Sequence, residues 1–251
     1  MFAVISDIHA NFEALQAVVA DIDARKVKKI YCLGDIVGYG PQPAECIDLI
    51  AGRCVATIMG NHDHAVLYEP LNFNLGAERA SFWTRFIFEN EPDFERRNKR
   101  WKFLGELPIR LELVEHILMV HGSPRRPVNE YIFPDDIYTA PNKTTTIFER
   151  IDHLCFVGHT HVPGVFLPDP DFYSPEELDN RYQIRGSEKA IINVGSVGQP
   201  RDRDNRAAYA LVNESVVEFV RVPYDVEKTV AKINAIPELD EFLGARLREG
   251  R

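Results

Sequence analysis

Apolar and polar positions alternate in blocks along the first sixty residues. "MFAVIS" (1–6) is short, apolar and rich in β-branched residues, and reads as a buried strand. In "NFEALQAVVADIDAR" (11–25), Phe12, Leu15, Val18, Val19 and Ile22 recur at helical spacing behind Asn11, a good N-cap. "KKIYCLGDIV" (28–37) reads as a second buried strand and "GYGPQP" (38–43) as a turn-rich loop. "PAECIDLIAG" (43–52) is a second helix closed by Gly52, and "CVATIMG" (54–60) a third strand. This alternation predicts a mainly parallel sheet covered by helices.

From about Val66 to Leu107 aromatic and charged residues mix, which predicts two or so helices inserted as a cap. "IRLELVEHILMVHGSP" (109–124) alternates and predicts a hairpin of 109–113 with 117–120. "IDHLCFVGHTH" (151–161) is a strand running into a polar tip, and "VPGVFLP" (162–168) pairs back as another. The polar stretch 168–187, with its Pro and Asp residues, reads as an exposed loop. "KAIINVGSVGQPRDRD" (189–204) is a strand followed by a glycine-containing loop. "AAYALVNESVVEFVRVPYD" (207–225) is a hairpin turning at Asn213 and Glu214, and 226–247 is helical with a break at Pro237.

The chain has 251 residues, 45% hydrophobic and 27% charged, enough apolar mass for a sizeable core. The expected organisation is a single domain over 1–251 with the cap at about 66–107. A net charge of −9 argues against general nucleic-acid or membrane-surface binding, while leaving room for a local basic pocket. Cys32, Cys46, Cys54 and Cys155 form no CxxC pair, and Cys32 and Cys155 sit in apolar runs. Free thiols, no signal-like segment and no run of roughly 20 apolar residues predict a soluble cytoplasmic protein. A homo-oligomer is left open.

Metal-type ligands follow the predicted strands one after another. The first strand delivers Asp7 and His9, the second Asp35, the third Asn61 and His62; later strands deliver His121, then His159 and His161. In Asp7-x-His9 and His159-x-His161, alternate side chains of an extended backbone point the same way. Each motif alone is ordinary, since an Asp at a strand end is usually a cap and a lone His usually structural. Five in this order, each behind an apolar strand, point to one polyvalent site at a sheet edge. Imidazole with carboxylate suits Mn, Fe, Zn, Co or Ni better than Ca or Mg, and no thiolate is offered. These groups exceed what one ion takes; two ions sharing Asp35 account for them. Such a pair, about 4 Å apart, holds a bridging hydroxide and clamps an in-line displacement at phosphorus.

The quoted motifs are "DIH" (7–9), "GDIVG" (34–38), "GNHD" (60–63), "HGSP" (121–124) and "GHTH" (158–161), with "GYGPQP" and "INVGSVGQPRD" beside them. On these residues the sequence resembles the calcineurin-like metallophosphoesterases, over nearly its whole length. It is most similar to the small bacterial and archaeal phosphodiesterases grouped near the diadenosine tetraphosphate hydrolases. The resemblance implies an α/β fold, a two-sheet sandwich flanked by helices in four layers, with two divalent transition metals at its edge and manganese favoured. One ion would take Asp7, His9, Asp35 and His161; the other Asp35, Asn61, His121 and His159. His62 would face the phosphate, stabilising the transition state or protonating the leaving oxygen, and Asp63 would orient His62.

Asn11, Tyr39, Ser196, Gly198 and Arg201 lie in loops that this fold sends toward the site and are substrate-contact candidates. Arg201 and Arg203 either hold a second phosphate or pair with the aspartates of "PRDRDNR". Phe82, Trp83, Phe86 and Phe88 are expected in the cap core, unless one stacks on a base; His64, His116 and His153 are expected outside the chemistry. The resulting expectation is a dinuclear metal-dependent phosphoesterase acting on a small, nucleotide-like phosphoester. The alternatives are a protein serine/threonine phosphatase and a non-catalytic scaffold of the same fold.

Overall fold

The structure is a computed structural model describing residues 1–251, apart from the side chain of Glu115. Strands β1 (Phe2–Ile5), β2 (Ile30–Cys32) and β3 (Ala56–Thr57) alternate with helices α1 (Phe12–Ala24) and α2 (Pro43–Arg53). Helices α3 (Asn61–Leu67), α4 (Leu75–Glu89) and α5 (Phe94–Gly105) follow. Next come β4 (Arg110–Leu113), β5 (Ile117–Val120), α6 (Asp136–Thr139), α7 (Pro141–Phe148) and β6 (Leu154–Val157). The chain continues through β7 (Gly164–Leu167), β8 (Asp171–Tyr173), β9 (Arg181–Gln183), β10 (Ala190–Asn193), β11 (Ala207–Val212) and β12 (Val216–Val222). It ends in α8 (Val226–Asn234) and α9 (Glu241–Glu249).

Two six-stranded sheets face one another, in the orders β3-β2-β1-β11-β12-β9 and β4-β5-β6-β10-β7-β8. Strands β1, β2 and β3 are parallel, as are β5, β6 and β10; the remaining pairings are antiparallel, so both sheets are mixed. Alternate side chains of each central strand enter different cores. Val4 joins Met119, Phe156 and Ile192 between the sheets, while Ala3 and Ile5 pack under α1 and α2. On the other sheet Met119 points inward, and Leu118 and Val120 pack against Ile137, Ile147 and Phe148 of α6 and α7. Burial on both faces is why these strands read as unbroken apolar runs. The result is the four-layer sandwich expected, helices outside and sheets inside.

Helix α4 spans two cores: Phe88 joins the α1–α2 cluster, and Ala77, Ala80 and Trp83 pack with α8 and α9. Phe82 and Phe86 stay exposed. Arg100 of α5, itself buried, binds Asp48 of α2 bidentately at 3.0 and 2.7 Å and Glu91 at 2.6 Å, clamping α5 to α2. Among the described residues no helix is long and apolar enough to cross a membrane.

Several elements differ from the sequence pattern. The stretch 168–187 holds two short strands: β8 extends one sheet beyond β7, and β9 the other beyond β12. In β9 only Tyr182 is buried, between exposed Arg181 and Gln183, a period too brief to stand out. β7 does not pair with β6; β10 lies between them. Helix α2 runs past Gly52 to Arg53, because Cys54 leaves it directly in an extended conformation and no left-handed glycine is required. Helices α6 and α7 lie in a segment with no clear apolar period.

Candidate metal centre

Asp7, Asp35, Asn61, His121 and His159 each lie just past the carboxyl end of β1, β2, β3, β5 or β6. These strands are parallel within each sheet, so the two sheets deliver their loops to one common edge. The backbone there is not extended. Asp7 (φ 54°), His9 (φ 47°), Asp35 (φ 51°), His159 (φ 67°) and His161 (φ 63°) all occupy the left-handed region. The Asp-x-His and His-x-His pairs therefore converge by tight turns, not by strand alternation. Such conformations cost on the order of 1–2 kcal/mol each outside glycine, and persist where the surroundings enforce them. Here the loops are laced together: Asp7 N–H donates to Gly34 O (3.0 Å), His9 N–H to Asp35 O (2.9 Å) and Gly198 N–H to Asp7 O (2.9 Å).

Two clusters of ligand atoms result, Asp7, His9, Asp35 and His161 in one and Asp35, His121 and His159 in the other. In the first, His9 Nε2 and His161 Nε2 face each other at 3.0 Å, with Asp7 Oδ1 3.1 Å from His161 Nε2 and Asp35 Oδ2 3.6 Å from His9 Nε2. Both rings turn Nδ1 toward a backbone carbonyl, His9 to Val37 O (3.2 Å) and His161 to Gln199 O (2.6 Å). A carbonyl only accepts, so each Nδ1 carries the proton and each Nε2 presents a lone pair. Two lone pairs meeting at 3.0 Å beside two carboxylates repel unless a cation lies among them. The donor set therefore fits a metal ion on its own geometry.

In the second cluster His121 repeats this arrangement. His121 Nδ1 donates to Leu33 O at 2.9 Å, aiming Nε2 at Asn61 Oδ1 (3.0 Å), His159 Nδ1 (3.2 Å) and Asp35 Oδ2 (3.4 Å). Burial alone would lower the His121 pKa, but Asp35, with Asp7 and Asp63 behind it, pushes it up to about 9. Burial lowers the pKa values of His9 and His161, keeping both neutral and ready to ligate.

His62 lies beside both clusters, its ring 4.9 Å from His9, 4.4 Å from Tyr39 and 4.6 Å from Phe73. Burial lowers its pKa to about 4. Asp63 does not orient it. One Asp63 oxygen accepts from Ile36 N–H (2.9 Å) and Val37 N–H (3.3 Å), the other from Gly60 N–H (3.0 Å). Among the described residues His62 Nδ1 has no hydrogen-bond partner. Asp63 instead ties the loop after β2 to the start of α3, and the His62 ring is held by its aromatic neighbours.

Residues 1–215 match the profile of the calcineurin-like phosphoesterase superfamily domain. The chain belongs to this superfamily. An uncharacterised protein of Methanocaldococcus jannaschii is 41% identical over 261 residues, spanning 100% of this chain and 98% of its own. The crystal structure of a metallophosphoesterase from Sphaerobacter thermophilus superposes with a TM-score of 0.80 at 36% identity, over 100% of this chain and 99% of that one. The symmetrical bis(5′-nucleosyl)-tetraphosphatase of Haemophilus influenzae is 25% identical over 177 residues. That match covers 68% of this chain but only 58% of the tetraphosphatase. Membership makes the protein a metal-dependent phosphoester hydrolase and implies a dinuclear divalent centre, for which the two clusters supply donors.

Of the substrate-contact candidates in this phosphoesterase, Tyr39 and Arg201 flank the clusters. The Tyr39 ring packs at a tilt against His9, with centroids 4.8 Å apart, and the Arg201 guanidinium lies 6.0 Å over the Tyr39 ring, steadied by Gln199 Oε1 at 2.8 Å. The aspartates of "PRDRDNR" are engaged elsewhere, Asp202 with Arg221 and Asp204 with Arg206, so among the described residues Arg201 has no ion-pair partner. Asn11 and Ser196 do not serve as contacts. The Asn11 amide donates to Gly198 O and Tyr224 Oη and accepts from Ala14 N–H and Thr229 Oγ1. Ser196 Oγ donates to Asp7 O (2.7 Å) and accepts from Gln199 N–H (2.8 Å). Both side chains have their hydrogen-bonding capacity taken by the scaffold.

His64 packs on Tyr68, His116 lies at the exposed β4–β5 turn, and His153 Nδ1 donates to Glu188 O, all away from the clusters. Sequence reasoning missed Phe73, Gln199 and Tyr131. Phe73 and Tyr131 lie in segments without a motif, and Gln199 acts partly through its carbonyl, which no side-chain pattern reveals.

Proposed function

We propose that this phosphoesterase hydrolyses a phosphodiester or phosphoanhydride bond in a small nucleotide-type substrate. One ion is assigned to Asp7, His9, Asp35 and His161, the other to Asp35, Asn61, His121 and His159. The observation that carries this reading is the position of Asp35 Oδ2, 3.6 Å from His9 Nε2 and 3.4 Å from His121 Nε2, shared by both sets of lone pairs. When bound, the ions activate water and neutralise phosphoryl charge. The donor set of imidazole, carboxylate and one neutral amide favours Mn, with Fe, Zn, Co or Ni able to substitute.

His62 faces the phosphoryl group, where its neutral imidazole donates an N–H hydrogen bond to the charge that develops in the transition state, with Tyr39 and Phe73 fixing its ring. Arg201 binds a non-bridging phosphate oxygen, or the next phosphate along a polyphosphate chain. Phe73, in the segment between α3 and α4, walls the site beside His62 and supports a small substrate over a phosphoprotein. The likeness to the tetraphosphatase supports a nucleotide. The free cysteines suit a reducing cytoplasm, where we place the protein.

The test is a rate panel with bis-p-nitrophenyl phosphate, diadenosine tetraphosphate, cyclic nucleotides and a phosphopeptide, before and after metal stripping. Metal-dependent turnover of a nucleotide well above the phosphopeptide is expected. Full activity in stripped protein, or preference for the phosphopeptide, overturns the reading.

A further inference from the structure

The four imidazoles of the two clusters are not held alike. His9, His121 and His161 each turn the far ring nitrogen to a backbone carbonyl, of Val37, Leu33 and Gln199 respectively. Those bonds set the tautomer and stop the ring rotating. His159 has no such anchor. Its Nδ1 faces His121, and its buried Nε2 has no hydrogen-bond partner among the described residues. Its ring lies instead against Tyr131, with centroids 3.7 Å apart and planes within 15°. Phe133 extends the stack on Tyr131 at 5.1 Å and 10°.

Tyr131 is itself fixed from both sides. Between His121 and Tyr131, Gly122 N–H donates to Pro127 O, and Ser123 Oγ and Arg125 both donate to Glu130, the residue just before Tyr131. Beyond it, Phe133 N–H donates to Asp136 Oδ2 at 2.7 Å, at the start of α6. One closed loop thus carries a metal-type ligand, His121, at its root and returns a ring onto another, His159.

We propose that Tyr131 is the positioning residue of His159, supplying with its ring face the orientation that carbonyls supply to the other three imidazoles. This inference rests on the dinuclear reading above. Stacking of this kind is modest, but His159 has no carbonyl anchor that would make it redundant. Removing the ring frees His159 to rotate about its Cβ–Cγ bond and weakens the ion held with Asn61 and His121. The ion held by Asp7, His9 and His161 keeps all its anchors.

The experiment is calorimetric titration of metal-free protein with Mn²⁺, for wild type, Tyr131→Leu, Tyr131→Phe and Phe133→Leu. Wild type is expected to take two ions. Tyr131→Leu should bind one of them about 2- to 10-fold more weakly and leave the other unchanged. Tyr131→Phe, which keeps the ring, should restore the second ion, and Phe133→Leu, which removes only the outer ring, should weaken it less. Melting of the metal-free variants separates this from a folding defect, since a positioning role leaves it close to wild type. Two ions bound by Tyr131→Leu as tightly as by wild type overturns the role of Tyr131 alone. A Tyr131→Phe variant as weak as Tyr131→Leu also overturns it, because the hydroxyl and not the ring face would then matter. A wild type that takes no second ion overturns the dinuclear reading and this inference with it.

Discussion

The His62 backbone N–H donates to Asp35 Oδ1 at 2.8 Å, which turns Asp35 Oδ2 to the midpoint of the two imidazole clusters. The first turn of α3 therefore orients the shared carboxylate as well as presenting the His62 ring. The approach is so close that a Cβ on Gly60 would meet Asp35 Oδ1 at 2.1 Å and Asp35 N at 2.3 Å. Gly60→Ala has an unstrained φ of −89° yet must push the carboxylate aside. It should lose metal although Gly60 offers no ligand, with activity down on the order of 100-fold. Metal analysis of the purified variant checks this; two tightly held ions and wild-type kcat would show that Asp35 has slack.

His62→Ala separates the two jobs done in that turn. The backbone bond to Asp35 survives, and the ring is lost. Both ions should remain bound, while kcat falls by roughly 10²–10³-fold, the usual contribution of one positioned hydrogen-bond donor. Titration with Mn²⁺ beside steady-state rates gives both readouts. A variant that keeps its rate, or that sheds an ion, would show the roles of Asn61 and His62 to be misdivided.

Much of this was legible in the sequence because the chemistry sits on strands whose apolar runs announce themselves. Asp7, Asp35, Asn61, His121 and His159 each follow such a run, and the sandwich carries them to one edge. The turn geometry was not legible: left-handed φ values at Asp7, His9, His159 and His161 come from cross-loop bonds that a local pattern does not encode. Asn11 and Ser196 misled because a polar residue near a site looks the same whether it faces substrate or braces a loop. Strands β8 and β9 were hidden by their length, three residues each at the sheet edges. Helices α6 and α7 follow Tyr131, in a stretch whose role depends on a loop closing through Ser123, Arg125 and Glu130.

Arg201 tests the substrate side of the site. Its aspartate neighbours in sequence are paired with Arg206 and Arg221, leaving the guanidinium over Tyr39 available to an anion. Arg201→Ala should leave both ions bound and raise KM, lowering kcat/KM by about 10- to 100-fold, the value of one or two charge-assisted bonds. The loss should be larger for a polyphosphate substrate than for bis-p-nitrophenyl phosphate if Arg201 holds the second phosphate. An unchanged KM for both would remove Arg201 from the substrate contacts.

Helix α8 lies outside the segment matching the family profile yet bonds to residues that brace the site. Glu13 of α1 is 7% exposed, accepts from Lys232 and pairs with Lys228 at 3.3 Å. Burial works to raise the Glu13 pKa, but the lysines outweigh it and hold the carboxyl below 4.5. A folded-state pKa below the unfolded one means that the stabilisation is complete above the unfolded value and is lost as pH falls through the folded one. At pH 7, Glu13→Gln should therefore cost about 1–2 kcal/mol, read as a lower Tm. The gap between the two proteins should shrink as pH drops below 4.5 and close once the wild-type carboxyl is protonated. Comparing the two melting curves cancels the titration of the metal ligands, which both share. The same helix carries Thr229, whose hydroxyl donates to Asn11 Oδ1 at 3.0 Å, while the Asn11 amide holds Gly198 O at 2.9 Å. A constant Tm gap across this pH range would show that Glu13 contributes no charge-dependent hold on α8, and that Thr229 and packing alone dock it.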